Sequence, residues 1–284
     1  MTAHEFLGLR PTDDPARWRM PIAARVLTHA GAVQGGAAFA AAVETMEAVT
    51  ERPLVWASAQ FLRHAGPGGT LDVDVSVEMS GRQTTQARAR VRLDDAAVLS
   101  AWGALGARPF EGSGAWPTAP DVPPPEASGP PLFSPTGDGD ITTHLEIRQA
   151  MGRTHAELDG TRSSGRWAAW CRRVDNAGAI SAGDLAIIGD LSMLAFSDAL
   201  GRRCTGNSLD NSLRVAGGAA TGDAAGWVLL DVRVEAVHDG FGHAHAHLWS
   251  EEGSLLGLSS QTLVLRDADP SGRAERRGRR IVGR

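Results

Sequence analysis

The feature that most constrains this chain is a repeated order of elements. A helix-forming stretch followed by four strand-forming ones occurs twice at a constant offset: Gly35 to Gly189, Trp56 to Asp210 and Arg82 to Ala236 are each 154 positions apart. In the first copy, residues 35–49 place Phe39, Val43 and Met46 at helical spacing among alanines. Strands follow over 54–63, 71–79, 86–93 and 96–105, several with strict alternation of apolar and polar residues. In the second copy, 140–151 and 164–174 read as strands and 184–200 as a helix apolar nearly all round. Four more strands are expected over 207–215, 226–237, 242–249 and 254–266. Identity between the copies is low, so the repeat is one of architecture. The economical fold is α+β, with two antiparallel sheets each wrapped around a central helix that removes their apolar faces from water. Between the copies, residues 107–139 are crowded with Pro and Gly and show no periodicity. The expected organisation is therefore an N-terminal unit over 1–106, a linker over 107–139, a C-terminal unit over 140–267 and a basic disordered tail over 268–284.

Composition excludes several classes. The net charge of -5 argues against nucleic acid as the main partner. No apolar run approaches the ~20 residues of a membrane span, and the opening "MTAHEFLGLRP" lacks the pattern of an export signal, so a cytoplasmic location is expected. There Cys171 and Cys204 would be reduced, and their spacing suits no metal. "GAVQGG" lacks the Lys of a phosphate loop, and no GxSxG elbow of a serine hydrolase occurs.

Six stretches in order carry a likeness. They are "GG" at 35 and 36, "FLRHAGPG" (61–68), "MSGRQTTQARARVRL" (79–93), "NSLDNS" (207–212), "WVLLDVRVEA" (227–236) and "GSLLGLSSQ" (253–261). With the repeat, they make the chain resemble the acyl-CoA thioesterase II family, whose members have two tandem hotdog domains. The resemblance covers roughly residues 20–266. It implies hydrolysis of an acyl-CoA substrate by water, with no cofactor, no metal and no covalent enzyme intermediate, in lipid metabolism. The family's water-activating set is an Asp, a Ser or Thr, and a Gln on the last strand. Carried over, it assigns the general base to Asp210 and the water-holding role to Gln261. The register puts Glu235 where the family has its hydroxyl, with Asp239, Ser259 and Ser260 as nearby substitutes. Gly35 and Gly36, opening the first helix, and Arg82 in the hairpin are expected substrate contacts, the glycines as oxyanion donors or CoA contacts. The first unit carries Trp56 at the position of Asp210 and so lacks the acid.

Simple alternation of 207–215 puts Leu209, Asn211, Leu213 and Val215 on one face and Ser208, Asp210, Ser212 and Arg214 on the other. Asp210 then faces a cleft and not the leucine-lined core. The bland reading of Asp210 is a surface acid paired with Arg214 or Arg233. His243, His245 and His247 alternate onto one strand face about 7 Å apart, too far to share an ion without residues from elsewhere. Rival readings are a non-catalytic acyl-CoA binder and an enoyl-CoA hydratase, the latter needing an Asp and a His leading into a central helix. Edge strands leave a route to a homo-oligomer.

Overall fold

The computed structural model describes residues 1–112, 114–176, 178–217 and 226–268. The chain enters through α1 (Ala3–Leu7), β1 (Arg10–Pro11) and β2 (Arg17–Pro21). The first unit continues with α2 (Gly35–Thr50), β3 (Leu54–Phe61), β4 (Thr70–Ser80), β5 (Thr84–Leu93) and β6 (Ala96–Gly106). The second comprises α3 (Ile141–His144), β7 (Leu145–Met151), β8 (Arg166–Arg173), α4 (Ala182–Gly189), a 3-10 turn (Asp190–Met193) and α5 (Leu194–Leu200). It closes with β9 (Cys204–Val215), β10 (Val228–His238), β11 (Phe241–Ser250) and β12 (Leu255–Asp267).

The two sheets join edge to edge into one antiparallel sheet of 12 strands, ordered β1-β2-β4-β5-β6-β3-β9-β12-β11-β10-β8-β7. The junction is β3 against β9, where Ser58 pairs with Ser212. Those two residues are themselves 154 positions apart, so the repeat predicted from sequence is a pseudo-twofold with its axis at this pair. Tail residues beyond Ala268 lie outside the described residues. No helix among the described residues is long and apolar enough to cross a membrane.

Three expectations are corrected. The segment 140–151 begins as a short helix, because the Asp140 carboxylate accepts the Thr142 N–H and caps a turn before the strand. The described residues of 107–139 carry no named helix or strand, but part of the segment packs. Ala119 and Val122 lie against Trp170, Trp227 and Trp249, and the Trp170 indole donates to the Pro123 carbonyl at 2.8 Å. The helix 184–200 breaks at Asp190, where Ser192 Oγ donates back to the Gly189 carbonyl and the turn tightens to 3-10.

Helix α2 is buried along Ala37–Val43 and at Met46, and its alanines favour both helix and close approach. It crosses α4 in antiparallel fashion, Gly36 beside Ala186 and Glu44 beside Gly183. A Cβ at Gly36 would lie 2.7 Å from the Ala186 carbonyl oxygen, so the crossing requires glycine there. At the other end of the crossing, Glu44 accepts from Ser181 Oγ at 2.8 Å. Burial, reinforced by Glu47 and Asp184, pushes the Glu44 carboxyl up to about 7. Asp184 is itself paired with buried Arg173 at 3.0 Å.

Because folded Glu44 holds its proton more tightly than the unfolded chain does, it contributes stability below the ordinary carboxyl pKa near 4.5 and loses it as pH rises through about 7. Glu44→Gln keeps an acceptor for Ser181 and has no charge to bury. Denaturant unfolding at pH 5 and pH 8 is expected to show the parent losing more stability than Glu44→Gln over this interval, by on the order of 2 kcal/mol.

Candidate active site

A buried carboxylate lies where the second unit's helix breaks. Asp190 is 9% exposed and stands at the N-terminus of α2. One oxygen, Oδ2, accepts from the Gly36 N–H at 2.7 Å and from Gln34 Nε2 at 2.9 Å. The other, Oδ1, accepts from Ser208 Oγ at 3.1 Å and from Gln261 Nε2. Two donors on each oxygen fill the lone-pair sites of a carboxylate. The first unit holds Oδ2 and the second holds Oδ1.

Opposed forces act on the proton of Asp190. Burial raises its pKa, and the bonds from Gly36, Ser208 and Gln261, together with the nearby Asn211 amide, lower it, leaving the group pushed up to about 6. At neutral pH it is ionised and still basic. The helix end adds its own stabilisation of the charge. Gln34 serves both partners, since its Oε1 also accepts the Ala37 N–H and caps α2.

The acid and glutamine expected to meet do not. Strand β9 bulges against β12: Thr262 pairs with Asp210 and Leu263 with Ser208, leaving Leu209 as the extra residue, 40% exposed. A bulge reverses the alternation on one side of it. Ser208 therefore joins Asn211, Gln261 and Leu263 on the inner face, whereas Asp210 shares the outer face with Thr262. This corrects the pairing of Asp210 with Gln261 and the grouping of Ser208 with Asp210. Asp210 has a local task, its Oδ1 accepting the Thr262 N–H at 2.8 Å beside the irregular pairing.

Glu235 is also on the outer face, at a bulge in β10, with its carboxylate 3.4 Å from the His245 ring. It is apart from Asp190, and the hydroxyl that bonds Asp190 is that of Ser208. Among the substitutes, Ser260 bonds Ser212 on the outer face, Asp239 sits in the β10–β11 turn beside His238, and Ser259 donates inward to Asn211 Oδ1. Gly36 is at the site, but its N–H is committed to Asp190, which corrects its expected role as a free oxyanion donor. Gly35 adjoins it, a Cβ there lying 3.0 Å from Asp190 Oδ2. Arg82 is not brought in: its carbonyl faces Arg52, just past the C-terminus of α2, roughly 20 Å from the helix start at 1.5 Å per residue. The histidines of β11 lie outward, His243 toward Thr262 and His247 stacked on Trp249.

Asp190 was not anticipated from the sequence, although two signals existed. It is an acid at the middle of the stretch 184–200, with apolar neighbours between Asp184 and Asp198, and a buried acid needs partners. It also falls 154 positions after Gly36, the residue it touches. By the same offset Ser208 corresponds to Leu54. Gln261 corresponds to Gly103, which pairs with Ala57 as Gln261 pairs with Asn211. The missing counterparts in the first unit are thus Gly36, Leu54 and Gly103; the carboxylate's counterpart is Gly36, not the Trp56 expected for Asp210.

Comparison with known proteins decides the family. The profile described as the acyl-CoA thioesterase C-terminal domain matches residues 117–265, and that of the N-terminal domain matches 24–106. The chain belongs to the acyl-CoA thioesterase family. It is a thioesterase with the double hotdog architecture.

A provisionally assigned thioesterase from Novosphingobium aromaticivorans DSM 12444 is 32% identical with a TM-score of 0.79, the alignment covering 91% of this chain and 98% of that one. Two more distant structures share the fold. A conserved hot dog protein from Alicyclobacillus acidocaldarius is 17% identical over 94% of this chain and 98% of its own, TM-score 0.80. The acyl-CoA thioesterase II TesB2 from Mycobacterium marinum is 16% identical over 94% and 99%, TM-score 0.71. No match was found among curated proteins.

In this thioesterase, Gln34→Ala removes a helix cap and one donor to Asp190. It is expected to cost about 1–3 kcal/mol in denaturant unfolding. With the charged form less well held, the acid limb of any Asp190-dependent rate moves to higher pH.

Proposed function

We propose that this thioesterase is a cytoplasmic enzyme that hydrolyses acyl-CoA thioesters to free acid and CoA, with Asp190 as general base. The observation that carries the reading is the buried Asp190 carboxylate, held by donors from both units and pushed up to about 6. The three side chains have the types of the family's set: an acid, a hydroxyl in Ser208 and a glutamine in Gln261.

With its lone-pair sites filled, Asp190 can accept a proton only if one donor yields. Ser208 is the one able to do so without disturbing the fold, since a hydroxyl rotates freely and the residue is half-buried. Turned away, its O–H can donate to the thioester carbonyl oxygen, joined by the Gly35 N–H at the end of α2. Water then gives a proton to Asp190 as its oxygen bonds to the carbonyl carbon. Collapse of the tetrahedral oxyanion breaks the C–S bond, and the thiolate leaves with the electron pair. Asp190 returns its proton to the thiolate, and the new carboxylic acid ionises to solvent. A thiolate departs readily, so one positioned base carries most of the catalytic burden, about 10²–10⁴-fold in rate. A hydratase would want an imidazole beside the acid, and the β11 histidines face the other way.

The test is release of free thiol from a panel of acyl-CoAs of graded length. Asp190→Asn is expected to lower kcat by about 10²–10⁴-fold, while Asp210→Asn stays within about twofold of the parent. In the parent, kcat/KM should fall as pH drops through about 6. Absence of thiol release at every chain length, or an Asp190→Asn variant as fast as the parent, would end this reading.

A further inference from the structure

Two buried polar atoms in the inner-face cluster around Asp190 have no hydrogen-bond partner among the described residues, Asn211 Nδ2 and Gln261 Oε1. Their residues are 1% and 2% exposed. Asn211 and Gln261 pair directly across β9 and β12, so the side chains leave one face with Cβ atoms about 5 Å apart. The remaining atom of each amide is committed. Asn211 Oδ1 accepts from Ser259 Oγ at 2.9 Å, and Gln261 Nε2 donates to Asp190 and to Ser208 Oγ. Turning either amide over would set its oxygen against the Asp190 carboxylate, so the unpartnered donor and acceptor keep their identities.

An unsatisfied buried polar atom is costly, and such atoms persist where something else uses them. The fold does not require an amide at this position. Its counterpart at the 154-residue offset is Ala57, in the same place in β3 and also fully buried. A carbonyl oxygen could satisfy the Asn211 donor but not the Gln261 acceptor. A molecule that both accepts and donates satisfies the two together, and water is the smallest.

We propose that Asn211 is a further catalytic residue, its Nδ2 donating to the attacking water while Gln261 Oε1 accepts one of the water's protons. The inference rests on the assignment of Asp190 as base. All four directions of the water are then used: one lone pair toward Asn211, one proton on Gln261, the other proton toward Asp190 and the second lone pair toward the thioester carbon. The Asn211 amide also helps hold the Asp190 carboxyl down, so its loss moves that group upward.

Thiol release, its pH profile and thermal melting of Asn211→Leu, Asn211→Ala and Asp190→Asn form the test. Asn211→Leu is expected to lower kcat by about 10- to 100-fold with little change in KM. The acid limb should move to higher pH, and the variant should melt near the parent, because removal of a buried unpaired donor offsets loss of the Ser259 bond to Oδ1. Asn211→Ala copies Ala57 and should show the same kinetic loss. If Asp190→Asn is inactive while either Asn211 variant keeps the parent's kcat and acid limb, this inference falls and the base assignment survives. If Asp190→Asn is fully active, the base assignment itself falls. A clearly lower melting temperature in both Asn211 variants, with kcat recovered in the fraction that stays folded, assigns Asn211 to structure and overturns the proposal.

Discussion

The burial of one carboxylate at the crossing of two helices organises the active site. An ionised acid removed from water is costly unless bonds replace its hydration. Here the replacement comes from both halves, the Gly36 N–H and Gln34 amide from one and Ser208 and Gln261 from the other. Neither half alone could hold the group in its charged form. The helices must also approach closely enough for the Asp190 carboxylate to meet the end of α2, which is why Gly36, with no room for a Cβ, stands there.

The pseudo-twofold gives this arrangement a direction. Related positions meet across the axis, so any contact between them is a contact between a residue and its own counterpart. Gly36 and Asp190 are such a pair. If both were acids, two carboxylates would crowd one cavity and repel; if both were glycine, there would be no base. Division of labour between copies follows from the geometry, one copy keeping the acid and the other the amide that binds it. In the first unit the place of Gln261 is taken by Gly103, against which Met46 packs, so the space there is filled by core.

Much of the architecture was legible because it rests on periodicity. Helix α2 and strands β3–β6 and β9–β12 follow from alternation and from spacing such as Phe39, Val43 and Met46. The site was harder to read because it depends on departures from periodicity. One inserted residue, Leu209, moved Ser208 inward while Asp210 stayed on the outer face, and nothing in "NSLDNS" distinguishes a bulge from a straight strand. Gln261 could be placed because β12 pairs regularly with both neighbours from Gly257 through Gln261. Asp190 was obscured by its apolar neighbours, which gave the helix its character and the acid its buried setting. The first strands, β1 and β2, are too short and too polar for a periodic signal.

The same apolar setting bears on how such a base works at neutral pH. A fully solvated carboxylate is ionised but a weak acceptor, and one buried without partners would stay protonated and accept nothing. Asp190 lies between these limits, with burial raising its proton affinity and its donors restraining the rise. General-base efficiency is greatest when the pKa approaches the working pH from below. The donors therefore serve more than structure: removing one makes Asp190 a stronger base but a rarer one, and adding one has the opposite effect. A rotating hydroxyl such as Ser208 is suited to this balance because it can withdraw its bond when the proton arrives and restore it afterwards, leaving the amides of Gly36, Gln34 and Gln261 to keep the carboxylate in place.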